Sequence, residues 1–131
     1  MDEGPGRVAA GRIAAMENGT YLHNPRCSKS REALALLQSR GVQPQVVLYL
    51  ETPLDAAAIT ELLAALGVAA RDLLRRGEEE FAQLGLDDPA LAEDALIQAM
   101  ATHPRLIERP VYVRGGRAVI GRPPERVLEL V

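Results

Sequence analysis

The head of the chain carries the pattern that most narrows its fold: a short apolar run, a polar turn, a helical stretch and a second apolar run. Thr20 to His23 reads as a strand. Ser28 to Arg40 reads as a helix whose face is Ala33, Leu34, Leu36 and Leu37, with Gly41 to stop it. Gln45 to Leu50, Q-V-V-L-Y-L, reads as a second strand, rich in β-branched residues and expected to be buried. Strands joined through a helix pair in parallel with a right-handed crossover. Such a unit needs further strands to complete a sheet and further helices to cover it.

The remainder supplies both. Thr52 is the expected N-cap of a helix with Pro53 at its first position and Asp55 aiding the first turn. Leu54, Ile59, Leu62, Leu63 and Leu66 form its face and Gly67 ends it. Ala69 to Arg76 reads as a short helix, and Glu78-Glu79-Glu80 as a solvated helical face. Asp87-Asp88-Pro89 marks a turn. Ala92 to Thr102 is a helix with Leu96, Ile97 and Met100 on one side, closed by His103-Pro104. Val111 to Val113 and Ala118 to Ile120 flank the hairpin turn Arg114-Gly115-Gly116-Arg117, and Gly121-Arg122-Pro123-Pro124 opens a last helix, Glu125 to Leu130. The order is β-α-β, a helical block, then β-β-α, an α/β chain with one four-stranded mixed sheet and helices on its faces. Its 131 residues suit one core. Residues 1–19, rich in Gly and Ala, read as a loose N-terminal extension in which Met16 is a candidate start. Residues 20–131 read as a single domain with a helical insertion at about 53–103.

Composition removes several classes of function. A net charge of −3 gives no global basic field for nucleic acid. No run approaches membrane-spanning length, so neither nucleic acid nor membrane is expected as a partner. A single cysteine forbids an internal disulfide and fits a reducing compartment, here expected to be the cytoplasm. One thiol and two distant histidines make a metal site unexpected.

That cysteine, Cys27, stands in T-Y-L-H-N-P-R-C-S-K-S-R, at the predicted strand-to-helix turn. The first N–H groups of a helix favour an anion, and a thiolate placed there has its pKa lowered from about 8.5 toward roughly 3.5–7.5. Cys27 is therefore the candidate nucleophile. His23 is a candidate imidazolium to lower its pKa further, and Asn24 an amide to fix the turn. Ser30 is a candidate donor to sulfur from the first helical turn, and Arg31 a nearby positive charge. The spacing Cys27-x-x-Ser30 puts serine where a dithiol oxidoreductase carries its second cysteine, so any redox cycle needs a thiol from outside the chain. Arg75, Arg109 and Arg122 stand out by setting, the first closing R-D-L-L-R and the others preceding prolines. Guanidinium forks suit a tetrahedral oxyanion, yet spacing does not bring these three to Cys27.

Several stretches together resemble a known family. They are His23-Asn24-Pro25-Arg26-Cys27-Ser28-Lys29-Ser30-Arg31, Leu48-Tyr49-Leu50-Glu51-Thr52-Pro53, Arg71-Asp72-Leu73-Leu74-Arg75, Gln83-Leu84-Gly85-Leu86, His103-Pro104, Glu108-Arg109-Pro110 and Gly121-Arg122-Pro123-Pro124-Glu125. From Thr20 to Val131 the chain is similar to the glutaredoxin-coupled arsenate reductases, in the thioredoxin-like branch that also holds the Spx regulators. It resembles most the short subgroup without a long C-terminal tail. The resemblance implies a thioredoxin-like sheet with an inserted helical block, a cis Arg109-Pro110 bond and Cys27 as nucleophile. It also implies that Arg75, Arg109 and Arg122 bind arsenate. The implied reaction passes through a Cys27-thiolated As(V) intermediate, with glutathione as co-substrate, glutaredoxin as resolving partner and no bound cofactor. Two other readings share the fold: an Spx-like protein that binds RNA polymerase, and a general glutathione-linked thiol reductase.

Overall fold

The computed structural model describes residues 7–11 and 17–131. Strands β1 (Thr20–Leu22), β2 (Gln45–Val47), β3 (Val111–Arg114) and β4 (Arg117–Ile120) form one sheet in the order β2-β1-β3-β4. β1 runs parallel to β2 and antiparallel to β3, and β3 and β4 form the hairpin. The parallel pair is joined through helix α1 (Ser28–Ser39), as the strand–helix–strand pattern requires. Helices α2 (Ala56–Leu66), α3 (Ala70–Leu73), α4 (Glu79–Gln83) and α5 (Glu93–Thr102) lie between β2 and β3. This is the thioredoxin-like mixed sheet with helices on both faces.

Alternation along the strands divides the core. Leu22, Val111, Val113 and Ala118 point to one face, where Ile59, Leu62, Leu96 and Met100 of the helical block cover them. Tyr21, Tyr112 and Val119 point to the other, against Ala33 and Leu37 of α1 and against Val127 and Leu130. Each fully buried Leu or Ile contributes about 1.5–3 kcal/mol. Aliphatic packing on two faces thus carries a chain with a single Phe and no Trp. Gly19, at φ +86°, precedes β1 where a Cβ would overlap the Val113 carbonyl oxygen.

Four local expectations are corrected. β2 stops at Val47, and as the sheet's edge it is only half covered, with Val46 exposed. The chain then turns, Glu51 and Thr52 both donating to the Leu48 carbonyl at 2.9 Å. The N-cap of α2 is Asp55, whose carboxylate accepts from the Ala58 N–H at 2.8 Å; the Thr52 hydroxyl turns back to the Leu48 carbonyl instead. The last helix is a 3-10 helix, Pro124–Leu130, started by consecutive prolines. Within the expected loose extension, residues 7–11 are held down. Val8 is buried and exchanges backbone hydrogen bonds with Pro53 and Asp55, and the Arg7 guanidinium reaches the Leu54 and Ala101 carbonyls. Met16 lies outside the described residues. Among the described residues no helix is long and apolar enough to cross a membrane.

Candidate active site

Cys27 is the N-cap of α1, the joint between turn and helix. Its N–H donates to the Asn24 carbonyl and its own carbonyl accepts from the Arg31 N–H, both at 3.0 Å. The thiol is partly exposed. Burial alone raises its pKa, but the Ser30 N–H, the Arg109 guanidinium and the Lys29 N–H outweigh burial and hold it below the ordinary thiol value. Two N–H groups of the helix start and one cation, Arg109, thus act on sulfur together.

The other polar groups of the turn are occupied with one another. Ser30 is fully buried, and its Oγ lies 2.7 Å from His23 Nδ1 and accepts from the Asn24 N–H at 3.0 Å. Burial, aided by the Arg31 charge, pushes the His23 pKa down. The expected imidazolium is thus corrected: His23 is a neutral member of the turn, and the cation beside sulfur is Arg109. Ser30 faces sulfur from the first helical turn with its backbone N–H, while its hydroxyl contacts His23 Nδ1 and accepts from the Asn24 N–H. Asn24 fixes the turn as expected, its Oδ1 accepting from the Arg26 N–H at 3.0 Å. Arg31 clasps the same turn by donating to the Pro25 carbonyl at 2.8 Å, so it acts on the turn's backbone and on His23.

The three arginines converge, which their spacing does not show. After α3 the chain becomes extended and Leu74 bridges Ile107 antiparallel. Arg75 N donates to the Leu106 carbonyl and Glu108 N to the Leu73 carbonyl, both at 2.8 Å. That pairing sets Arg75 beside Glu108 and Arg109. Gly121 then donates to the Pro110 carbonyl at 2.8 Å and packs so closely that a Cβ would lie 2.9 Å from the Pro110 ring. The approach brings Arg122 alongside, its Nε donating to the Arg109 carbonyl at 3.0 Å. The bonds Arg109-Pro110 and Arg122-Pro123 are both cis.

Two carboxylates knit the cluster. Glu108 Oε1 lies 2.6 Å from Arg75 Nη1 and 3.3 Å from Arg122 Nε. Glu78 Oε2 lies 3.2 Å from Arg75 Nε and 3.8 Å from Arg109 Nη1, and its Oε1 is 2.9 Å from Arg105 Nη2. Burial raises the Glu78 pKa, but Arg75 and Arg105 overcome this and hold its carboxyl below the usual range. The reading of Glu78 to Glu80 as a solvated face is corrected for Glu78, which the Arg75 turn draws inward. Arg109 is the arginine that joins this cluster to the thiol, and its Nε is buried with no hydrogen-bond partner among the described residues.

Sequence reasoning passes over Glu78, Glu108 and Tyr49. Glu78 stands three residues after Arg75, an ion-pair spacing, and Glu108 directly precedes Arg109-Pro110. Tyr49 has no such signal; its apolar run gives it the look of a core residue.

A partly exposed thiol with a lowered pKa at a helix N-cap, on a thioredoxin-like sheet and beside converging guanidinium groups, defines a one-cysteine thiol site for an anionic substrate. The profile of the ArsC family matches residues 22–130, and the chain belongs to that family. It is 59% identical over 110 residues to an uncharacterized Escherichia coli K12 protein, YfgD, spanning 83% of this chain and 92% of that one. It is 48% identical over 107 residues to an arsenate reductase of Neisseria meningitidis serogroup A, spanning 81% and 92% of the two chains. The solved structure of an arsenate reductase from Vibrio cholerae superposes with a TM-score of 0.84 at 50% identity, covering 86% of this chain and 96% of that one.

Proposed function

We propose that the chain is an arsenate reductase in which Arg75, Arg109 and Arg122 hold the oxyanion and Cys27 attacks its arsenic. The observation that carries this reading is the convergence of those arginines around Glu78 and Glu108, with Arg109 also against the thiol. Relatives at 40–48% identity over most of the chain are named arsenate reductases.

The steps follow from the charges. The guanidinium groups neutralise the oxyanion, so that a thiolate can approach a centre already surrounded by negative oxygen. Cys27 Sγ forms a bond to As(V), and the bond from arsenic to one arsenate hydroxyl breaks, that hydroxyl taking up a proton and departing as water. A glutathione thiol then supplies the electrons. Its sulfur bonds to Cys27 Sγ, its proton goes to solvent or product, and the S–As bond breaks with its electron pair passing to arsenic. As(V) becomes As(III) and leaves as arsenite. A glutaredoxin thiolate attacks the glutathione sulfur of the mixed disulfide and returns the Cys27 thiolate. Ser30 at the fourth position of Cys-x-x-Ser supports this dependence on external thiols, since the chain has no second cysteine. A cleft of about 330 Å³ between His23–Arg26 on one side and Leu48, Leu50 and Glu51 on the other opens beside the thiol turn and offers the second thiol a path. The reaction suits a glutathione-rich reducing compartment such as the cytoplasm.

The test is arsenate-dependent NADPH consumption with glutathione, glutaredoxin and glutathione reductase. Turnover that requires all of these components and Cys27 is expected. Absence of arsenate-dependent oxidation at any glutathione concentration overturns the reading.

A further inference from the structure

We propose that Tyr49 is a substrate-binding residue of the same site, its hydroxyl donating a hydrogen bond to an oxygen of the tetrahedral oxyanion. The inference rests on the arsenate-reductase reading and extends it to a residue outside the arginine set.

Tyr49 lies in the turn that follows β2 and is fully buried. Its ring belongs to the core on the helical-block side of the sheet, but its hydroxyl has no hydrogen-bond partner among the described residues. Buried polar atoms are paired in nearly every case, and those left over call for an explanation. Among the described residues, the unpaired buried side-chain atoms are Thr20 Oγ1, Glu80 Oε1, Tyr49 OH and Arg109 Nε. Tyr49 OH and Arg109 Nε are both donors and both belong to the neighbourhood of Cys27. The Arg109 guanidinium acts on the phenol oxygen by charge and as a hydrogen-bond donor, and Arg75 and Cys27 act on it by charge, so the hydroxyl sits where the thiol turn and the arginine cluster meet and its own proton is left without an acceptor.

Two adjacent unpaired donors suit a ligand that brings several acceptors. A tetrahedral oxyanion carries more lone pairs than guanidinium forks alone use, and each orphaned donor can take one. A phenol adds a hydrogen bond without adding charge. It also remains a donor: burial drives its pKa up to about 12, against the opposing pull of Arg109 and Arg75. It therefore never competes with the substrate as an anion near neutral pH. Tyr49 thus selects for an acceptor-rich oxyanion, while the arginines select for negative charge.

Tyr49→Phe removes the hydroxyl and keeps the ring that fills the core. Three measurements on the full chain separate the outcomes: kcat/KM for arsenate in the coupled assay, the arsenate concentration that half-protects Cys27 from iodoacetamide, and the pH profile of that alkylation without arsenate. The expected result is a loss in kcat/KM of about 10- to 100-fold, the range for one hydrogen bond to a charged group. It should be carried mainly by KM and matched by a rise in the half-protecting concentration, with the alkylation profile unmoved. Unchanged kcat/KM and unchanged protection overturn the proposal while leaving the parent reading intact. A shifted alkylation profile with unchanged protection also overturns it, because Tyr49 would then act on the thiol. A wild-type protein that neither turns over arsenate nor is protected by it fails the parent reading, and this one with it.

Discussion

The two halves of the site are built in opposite ways. The thiol turn, His23 to Arg31, is one continuous stretch whose side chains satisfy one another: Ser30 with His23 and Asn24, Asn24 with Arg26, and Arg31 with Pro25. The guanidinium cluster is drawn from three distant places and held by Glu78 and Glu108, yet it keeps a buried donor, Arg109 Nε, without a partner among the described residues. The first half is a finished structural unit that presents one reactive atom. The second is an unfinished one, whose remaining donors suit a ligand. Damage to the first should therefore show in stability unless it touches sulfur, and damage to the second should show in turnover.

The sharpest test touches the one reactive atom. Cys27→Ser is expected to reduce arsenate turnover to background while leaving the circular dichroism spectrum unchanged, since a serine hydroxyl is a far poorer nucleophile at neutral pH. It also remains an acceptable N-cap for α1. Next in size is Arg109→Ala, which removes the guanidinium that acts on the thiol. It should lower kcat/KM by about 10²- to 10³-fold, the scale of a lost oxyanion donor. It should also move the Cys27 alkylation profile to higher pH, because Arg109 is one of the groups that depress the thiol pKa. Arg31→Ala should leave that profile nearly in place. If Arg31 moves it more than Arg109 does, the division between turn and cluster is wrong.

The same division decides how much is legible in the sequence. The thiol turn can be read almost whole, because its chemistry depends on residues adjacent in the chain: the strand end, the Asn24-Pro25 turn, the helix start at Cys27. What escapes there is protonation. A histidine near a thiol suggests an imidazolium, but burial, with the Tyr21 ring centroid 5.6 Å away, and the Arg31 charge disfavour the charged ring. The cluster is not legible by spacing. Arg75 meets Arg109 only because Leu74 bridges Ile107, and Arg122 meets Arg109 only because Gly121 approaches Pro110. Both are tertiary contacts with no local pattern. Family resemblance names the three arginines; it does not name Glu78, Glu108 or Tyr49. The β1–β2 and β3–β4 pairings follow from the strand–helix–strand rule and the hairpin, while the β1–β3 pairing that joins them has no local signal. The early end of β2 has none either, because a run of Val and Leu reads alike in a strand and in a buried turn.

Glu108→Gln tests whether the carboxylates position the cluster. It keeps an acceptor at the same place but removes the charge that draws in Arg75 and Arg122. With two guanidinium groups less firmly placed, kcat/KM should fall by about tenfold, consistent with the sensitivity of reaction rates to small misplacement. The urea midpoint should move little, because partly exposed ion pairs contribute only about 0–1 kcal/mol. Ser30→Ala makes the converse test in the turn. It strands the Asn24 N–H and His23 Nδ1 in a buried place and should cost about 1–3 kcal/mol of stability, read from urea unfolding. Because the backbone N–H of Ser30 faces sulfur, and not its hydroxyl, the alkylation profile should barely shift. A large shift would mean that the hydroxyl reaches the thiolate after all.

The smallest effect expected is a pH dependence, and it too separates the halves. His23 has a folded pKa below the unfolded value of about 6.5. Above that value the imidazole is neutral in both states, and its contribution to stability is fully present. As pH falls through that value the unfolded chain takes up the proton first, so stability declines, and the decline levels off once pH passes the folded pKa. The urea midpoint should therefore be lower at pH 5.5 than at pH 7.5, and His23→Gln should reduce that difference. Glu78, whose pKa is also depressed, loses its contribution only in the more acidic carboxylate range, so it does not enter this window. Turnover per folded molecule should follow a different group. It falls as pH drops through the Cys27 pKa, whose main positive neighbour, Arg109, remains charged throughout. If His23→Gln shifted the pH dependence of alkylation as much as that of unfolding, the turn and the thiolate would be coupled through the imidazole, and the cation beside sulfur would not be Arg109 alone.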